Sequence, residues 1–270
     1  MNASELSEYW LSNEFLTWGV GFFIFSNLGY WVPALFFEWI ITTNCVKSSL
    51  ITYGKNKNSK EDRSTNLLNT QKRIPFLTQV WYGFLTTCGP TAILNVFLNY
   101  FLYSKLLPKQ DMAIPDWSKV FIDLLLTYTI GDFFLYVGHR IQHQIPFLWK
   151  YHSLHHQLDT PSPISTLYID PIDATLQGAL PMLFAILIMR PHPYVAYIYL
   201  FIRLAENVVN HTGIDSLWMD IITLKFIPGR AKISHHDRHH KFCNYDSTVG
   251  NAKNYGEGYV IWDWIFGTVR

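Results

Sequence analysis

The chain has 270 residues, of which 49% are hydrophobic, 17% aromatic and 15% charged, with a formal net charge of +1. Soluble domains carry about 25% charged residues, so the deficit points to a chain partly solvated by lipid, and the near-zero net charge excludes the basic footprint of a nucleic-acid-binding protein. Three scattered cysteines, Cys45, Cys88 and Cys243, with no CxxC spacing, exclude a disulfide scaffold and suit a reducing compartment.

The first fourteen residues hold three Glu and no Lys or Arg, the reverse of the basic start of a cleavable signal. A bilayer-spanning helix needs about 20 mostly apolar residues. Residues 15–37 are uncharged and carry Trp18, Tyr30 and Trp31, aromatic types that favour membrane interfaces. A polar stretch at 52–72 is the nearest approach to a linker. Residues 74–104 are uncharged again, with a break predicted at Gly89-Pro90. Residues 120–138 are apolar apart from Asp123 and Asp132. The run at 174–189 is short for a span and is interrupted by Arg190-Pro191-His192-Pro193 before 195–202 continue it, so a helical hairpin that enters and returns is expected. Lys47, Lys55, Lys57, Lys60, Arg63, Lys72 and Arg73 all lie between the first two spans. Basic loops stay cytosolic, which puts this loop, and His139 at the end of the third span, on the cytosolic side.

Eight of the eleven histidines fall in three clusters: His139-x3-His143, His152-x2-His155-His156 and His236-x2-His239-His240. At about 100° per residue, Asp132, Tyr136, His139, Arg140 and His143 share one helix face. Within each HxxHH the positions i, i+3 and i+4 share a side, so each cluster is expected to give two or three imidazoles to one point. Neutral imidazole suits iron, zinc or copper, and eight exceed the needs of one ion. Neither HExxH nor the ExxH of soluble di-iron bundles is present. Zinc sites usually stop at four ligands, so two irons fit the set best. His192, between two prolines, is expected at the interface, His235 as a neighbour of the ligands, and Arg140 paired with an acid.

Asp132-x3-Tyr136-x2-His139-Arg140-x2-His143, Tyr151-His152-x2-His155-His156, His236-Asp237-x-His239-His240 and the closing Trp262-Asp263-x2-Phe266-Gly267-Thr268 resemble the signature boxes of the fatty acid hydroxylase/sterol desaturase superfamily, integral membrane di-iron oxygenases. The resemblance covers about residues 120–270. His211-Thr212-Gly213 followed by Trp218, and Asn244-Tyr245-x-Ser247-Thr248, are similar to segments of the sterol C4-methyl oxidases. That pattern makes His211 a ninth ligand. Asp170-Pro171 stands where these relatives often have His-Pro; a carboxylate there ligates iron, holds a ligand imidazole or caps a helix. Residues 250–258 look like an insertion that reshapes the entrance or forms a plain loop.

The resemblance implies an all-α fold: an integral membrane helical bundle with a cytosolic, histidine-rich di-iron cap. Residues 1–118 would form N-terminal spans with a polar cytosolic loop, and 119–270 the catalytic domain. Two iron ions are expected on His139, His143, His152, His155, His156, His211, His236, His239 and His240, with Asp132 and Asp237 orienting imidazoles. The implied reaction is oxygen-dependent oxidation of a sterol C4 methyl group through alcohol and aldehyde to carboxylate, in the endoplasmic reticulum membrane. No GxGxxG motif opens a helix after a strand, so electrons are expected from cytochrome b5 and its NAD(P)H-dependent reductase. Phe133, Phe134, Phe184, Tyr197 and Phe201 are the expected wall against a sterol entering from the bilayer. Sterol 25-hydroxylases, C5-desaturases and other lipid hydroxylases share the boxes and stay open, as do a membrane zinc hydrolase and a catalytically inactive sterol-binding regulator.

Overall fold

A computed structural model describes residues 2–43, 45, 74–109, 112–158, 162–242 and 252–270. Among these residues every regular element is helical, and one isolated antiparallel bridge joins Arg230 to Tyr259. The polar stretch at 52–72, the basic residues that set the expected orientation, Asn244-Tyr245 and Ser247-Thr248 lie outside the described residues.

Helix α1 (Ala3–Ser12) opens on a reciprocal cap: Asn2 Oδ1 accepts from Glu5 N at 2.9 Å, and the Glu5 carboxylate accepts from Asn2 N at 3.0 Å. A π-helical turn at Phe15–Val20 runs into α2 (Gly21–Thr42). This helix continues past the expected end at residue 37, and Glu38 in the added turn is buried, its carboxylate accepting from Ile164 N at 3.4 Å. Helices α3 (Phe76–Cys88) and α4 (Pro90–Phe101) part at Gly89, as expected, because proline lacks an N–H to continue a helix but suits its first position. Helix α5 (Trp117–Gln144) is the longest, started by Asp116 accepting from Lys119 N at 2.8 Å.

Beyond it come α6 (Pro146–His152) and 3-10 turns at His155–Gln157 and Pro163–Leu167. Helix α7 (Pro171–Met189) and α8 (Pro193–Asn210) follow, parted by the expected break at 190–192. Arg190 turns the chain between them in the left-handed region at φ 45°. His192 lies at the start of α8. It is buried, its Nδ1 accepts from Tyr194 N at 3.3 Å to cap α8, and its Nε2 donates to Met112 O at 3.2 Å. Short helices α9 (Leu217–Ile222), α10 (Ile233–Phe242) and α11 (Ile261–Ile265) complete the chain.

Three helical stretches, Phe15–Thr42, Trp117–Gln144 and Pro171–Met189, are long and apolar enough to cross a membrane. Their outward faces carry large exposed apolar side chains, among them Val32, Leu35, Phe36 and Trp39 on α2 and Phe121, Ile122, Leu125 and Leu126 on α5. Lipid, not water, is the solvent that tolerates such faces. The opposite face of α5 is buried and polar, with Asp123, Thr127, Tyr128, Asp132, Tyr136, His139 and His143; of the stripe expected from helical spacing only Arg140 is half-buried. Helix α2 lies along α8 so closely that a Cβ at Gly29 would sit 2.7 Å from Phe201 O and 2.8 Å from Phe201 Cα; only glycine fits that crossing.

Candidate metal centre

The histidines gather at one end of the bundle. The last two turns of α5 carry His139 and His143, α6 ends on His152, and the following 3-10 turn carries His155 and His156. His211 caps the C-terminus of α8, and α10 carries His236, His239 and His240. All nine are buried.

They converge as two groups. His139, His143, His152, His156 and His239 each offer a ring nitrogen within 4.8 Å of the others, and His155, His211 and His240 do the same. His236 joins the second group, its Nε2 lying 3.2 Å from His211 Nε2 and 3.1 Å from His240 Nε2. Each HxxHH gives two imidazoles to one point, within the expected two or three, and sends its remaining histidine to the other group. The i and i+4 members stay together, His152 with His156 and His236 with His240, while His155 and His239 at i+3 cross to the other group. Positions i+3 and i+4 diverge by about 100° around a helix, so one HxxHH reaches two centres.

Acceptors behind the rings fix their protonation. Carbonyl and carboxylate oxygens only accept, so Nδ1 of His139 donates to Tyr255 O (3.2 Å), His239 Nδ1 to Lys253 O (2.7 Å), His211 Nδ1 to Asn207 O (2.8 Å) and His152 Nδ1 to Asp173 Oδ2 (3.1 Å). Each of these rings then points an Nε2 lone pair inward. His152 Nε2 faces the Nε2 atoms of His143 and His156 at 3.1 Å, and His211 Nε2 faces His155 Nε2 at 3.2 Å. The buried Nε2 atoms of His139 and His239 have no hydrogen-bond partner among the described residues. Burial holds the rings neutral: it pushes His211 down to about 4 and His239 to about 3, and lowers His155, His156, His236 and His240 well below the ordinary range. Convergent neutral imidazole lone pairs in a dry site are a donor set for a transition-metal cation.

Asp132 accepts from no histidine. Its carboxylate receives Gly258 N (2.9 Å), Tyr259 N (3.0 Å) and Trp262 Nε1 (2.9 Å), and Arg203 Nη1 stands 3.3 Å away. It thus anchors the C-terminal loop whose Tyr255 and Lys253 carbonyls hold His139 and His239. Asp170 takes the helix-capping alternative, accepting from Ile172 N at 2.8 Å. The imidazole-holding role belongs to Asp173, one turn further on, which also accepts from Gln142 Nε2 at 2.8 Å. Asp237 is buried on α10. His235 is a neighbour as expected, bonded to Asp263 Oδ2 at 2.9 Å. Asp263 also accepts from the backbone of Tyr255 and Gly256 at 2.9 and 2.7 Å, a second anchor for the same loop. Among the described residues Arg140 has no acidic partner; it donates to Tyr136 Oη at 3.2 Å and lies over the Phe266 ring.

Beneath the histidines lies a buried charge network that sequence reasoning missed. Arg203 Nη1 bonds Glu206 Oε2 (2.6 Å) and Tyr128 Oη (2.7 Å); Arg230 also pairs with Glu206, and Lys225 Nζ donates to Ala231 O at 2.6 Å. The available signal was Arg203 and Glu206, three residues apart in an otherwise apolar run, where intramembrane charges need partners.

A cavity of about 250 Å3 runs from His155, His211 and His236 between α2, α4, α7 and α8. Its sides are mostly apolar, including Phe22, Leu183, Ile186 and Leu200. The expected aromatic wall is corrected: Phe133, Phe134, Phe184, Tyr197 and Phe201 do not line it. Phe133 packs on Trp262, Phe134 on Phe184, and Tyr197 is stacked on Phe25 at 4.7 Å.

Comparison with known proteins adds independent findings. The fatty acid hydroxylase family profile matches residues 124–268, more than half of the chain. The chain is 29% identical over 160 residues to a methylsterol monooxygenase of Arabidopsis thaliana, covering 59% of this chain and 57% of the relative. It is 27% identical over 161 residues to a very-long-chain aldehyde decarbonylase of Oryza sativa subsp. indica, with 59% and 57% coverage. Both matches thus span little more than half the relative's length. A methylsterol monooxygenase of Aspergillus fumigatus is 23% identical over 271 aligned positions, covering 96% of this chain and 80% of the relative. No solved structure matches the chain.

Proposed function

Since the chain belongs to the fatty acid hydroxylase family, we propose that it is a membrane di-iron monooxygenase that oxidises the C4 methyl group of sterol precursors, from methyl through alcohol and aldehyde to carboxylate. The observation that carries this reading is the set of nine inward-facing imidazoles in two groups at the end of an apolar cavity. His139, His143, His152, His156 and His239 would hold one iron, and His155, His211, His236 and His240 the other. Bound iron supplies oxygen activation and the oxidation of an unactivated C–H bond. The chain's own residues do the rest. Asp173 and the carbonyls of Tyr255, Lys253 and Asn207 orient the rings, the cavity walls exclude water, and the apolar sides accept a flat lipid skeleton.

The reading places residues 119–270 as the catalytic part and 1–118 as its membrane support, with Asp237 orienting a neighbouring imidazole of α10. Cytochrome b5 and its reductase are the electron donors in this reading. The protein is placed in the endoplasmic reticulum membrane as a multi-pass chain with the histidines facing the cytosol. The relative that acts as an aldehyde decarbonylase supplies the second reading, a different lipid substrate on the same centre.

A sterol profile tests the substrate. In a eukaryotic host lacking its own C4-methyl oxidase, expression of the chain should lower 4,4-dimethylsterols, and the His139→Ala variant should not. Persistence of 4,4-dimethylsterols with an expressed, iron-loaded protein would reject the C4 assignment.

Metal removal exposes the histidines to acid. An unfolded imidazole titrates near 6.5, whereas burial keeps His211 at about 4 and His239 at about 3 in the fold. Below pH 6.5 the unfolded chain therefore binds more protons than the folded one, and stability falls as pH drops. The metal-stripped protein should keep a constant melting temperature above pH 6.5 and lose it progressively between pH 6.5 and about 4. Thermal melts across that range check this; a flat profile would contradict it.

A further inference from the structure

Glu257 is a carboxylate that the metal centre does not use. It is 5% exposed and lines the cavity that also reaches His155, His211 and His236. Its Oε1 accepts from Gln177 Nε2 at 3.1 Å, and Oε2 lies 3.7 Å from Arg203 Nη2, beyond hydrogen-bond length. A carboxylate offers about four acceptor positions, so the bond from Gln177 leaves acceptor capacity in a residue that lines the cavity. The guanidinium of Arg203 is already engaged through Nη1 by Glu206 and Tyr128.

Its position is fixed with care. Gly258, the next residue, is docked so that a Cβ would meet Tyr128 Oη at 2.3 Å, Asp132 Oδ1 at 2.5 Å and Arg203 Nη1 at 2.8 Å. The Glu257 carbonyl accepts from Asn210 Nδ2 at 3.2 Å, tying it to the residue before His211. Burial raises the carboxyl above its ordinary range, a cost that a ligand hydroxyl relieves. Most of the cavity's exposed surface is apolar, although Asn99, Gln177 and Asn207 also reach it. A ligand matching this lining is a lipid that carries a hydrogen-bonding group.

We propose that Glu257 accepts a hydrogen bond from a hydroxyl of the lipid substrate and so selects which carbon faces the second histidine group. This rests on the reading of the site as a lipid oxidase. It adds a specificity residue supplied by the segment 250–258, which stood out in sequence as an insertion.

The test measures binding to the iron-loaded full chain in lipid nanodiscs. Two matched pairs are used: 4,4-dimethylcholestan-3-ol with its methyl ether, and 1-octadecanol with its methyl ether. Sites built to bond a hydroxyl discriminate strongly against analogues lacking it. The wild type should bind at least one alcohol about tenfold or more tighter than its ether. Glu257→Leu should bring that ratio near one without changing iron content. If Glu257→Leu does not fold, the similarly shaped Glu257→Met carries the test. Methionine is close to glutamate in length and its thioether is only a weak acceptor, so the ratio should again collapse. A merely structural role would weaken both ligands equally and leave the ratio unchanged. A retained ratio in the folded variant, or no discrimination by the wild type in either pair, overturns the proposal. Discrimination confined to the octadecanol pair would leave Glu257 in place and remove the sterol reading instead.

Discussion

Replacing Arg203 by Leu should destabilise the protein by roughly 3–5 kcal/mol, the cost of breaking a buried ion pair from one side. Arg203 is 3% exposed and its Nη1 serves Glu206, Tyr128 and Asp132 at 2.6, 2.7 and 3.3 Å. Its removal leaves Glu206 with Arg230 and Lys225, but it takes away the one cation that pairs with Asp132 among the described residues. Asp132 would then be an uncompensated carboxylate in the bundle interior, and the loop it anchors would loosen. Because that loop supplies the Tyr255 and Lys253 carbonyls, iron retention should fall together with the melting temperature. Arg203→Lys should recover only part of the loss, since an ammonium cannot reproduce the guanidinium fork. Arg203→Leu combined with Asp132→Asn should be milder than the sum of the two single changes, because neither charge is then stranded. Thermal melts with metal analysis decide this; a wild-type melting temperature for Arg203→Leu would remove the network from the account.

The second large effect is chemical. Asp173→Ala should weaken iron binding about 10–100-fold, the usual cost of losing the group behind a ligand imidazole. Asp173 fixes the His152 ring from both carboxylate oxygens, at 3.2 and 3.1 Å, and is itself held by Gln142. Without it His152 can rotate or adopt the other tautomer, and its lone pair leaves the shared point. Asp170→Ala is the matched control. It removes an exposed helix cap, worth about 1 kcal/mol, and should leave iron affinity unchanged. Competition of each variant against an iron chelator ranks the two; a larger defect in Asp170→Ala would reverse their roles.

The contrast between these two aspartates shows how far the sequence carried. Helical periodicity and spacing located the clustered histidines, because ligands on one segment must repeat at three or four residues to meet. The breaks at Gly89-Pro90 and around residues 190–193 were legible because proline imposes them locally. Long-range choices were not. Asp170 and Asp173 sit one turn apart on the same helix start, and only the packing of α7 on α5 and α6 decides which reaches His152. Asp132 carried the right signal, a charge in an apolar span that needs a partner, but the partners proved to be a loop some 126 residues away and Arg203. The cavity wall was misjudged because aromatic content says nothing about which face of α5, α7 or α8 looks inward. The division of each HxxHH between two centres follows from helix geometry, yet it becomes visible only once three segments are placed around a common point.

Iron stoichiometry tests the central claim most directly. The chain is purified from cells supplied with iron, and its metals are counted for the wild type and for a His236→Ala/His240→Ala double variant. Two histidine groups predict two irons per wild-type chain and one in the variant, the remaining ion being held by His139, His143, His152, His156 and His239. A single iron in the wild type, zinc in place of iron, or an undiminished metal count in the variant would contradict the assignment of two separate centres.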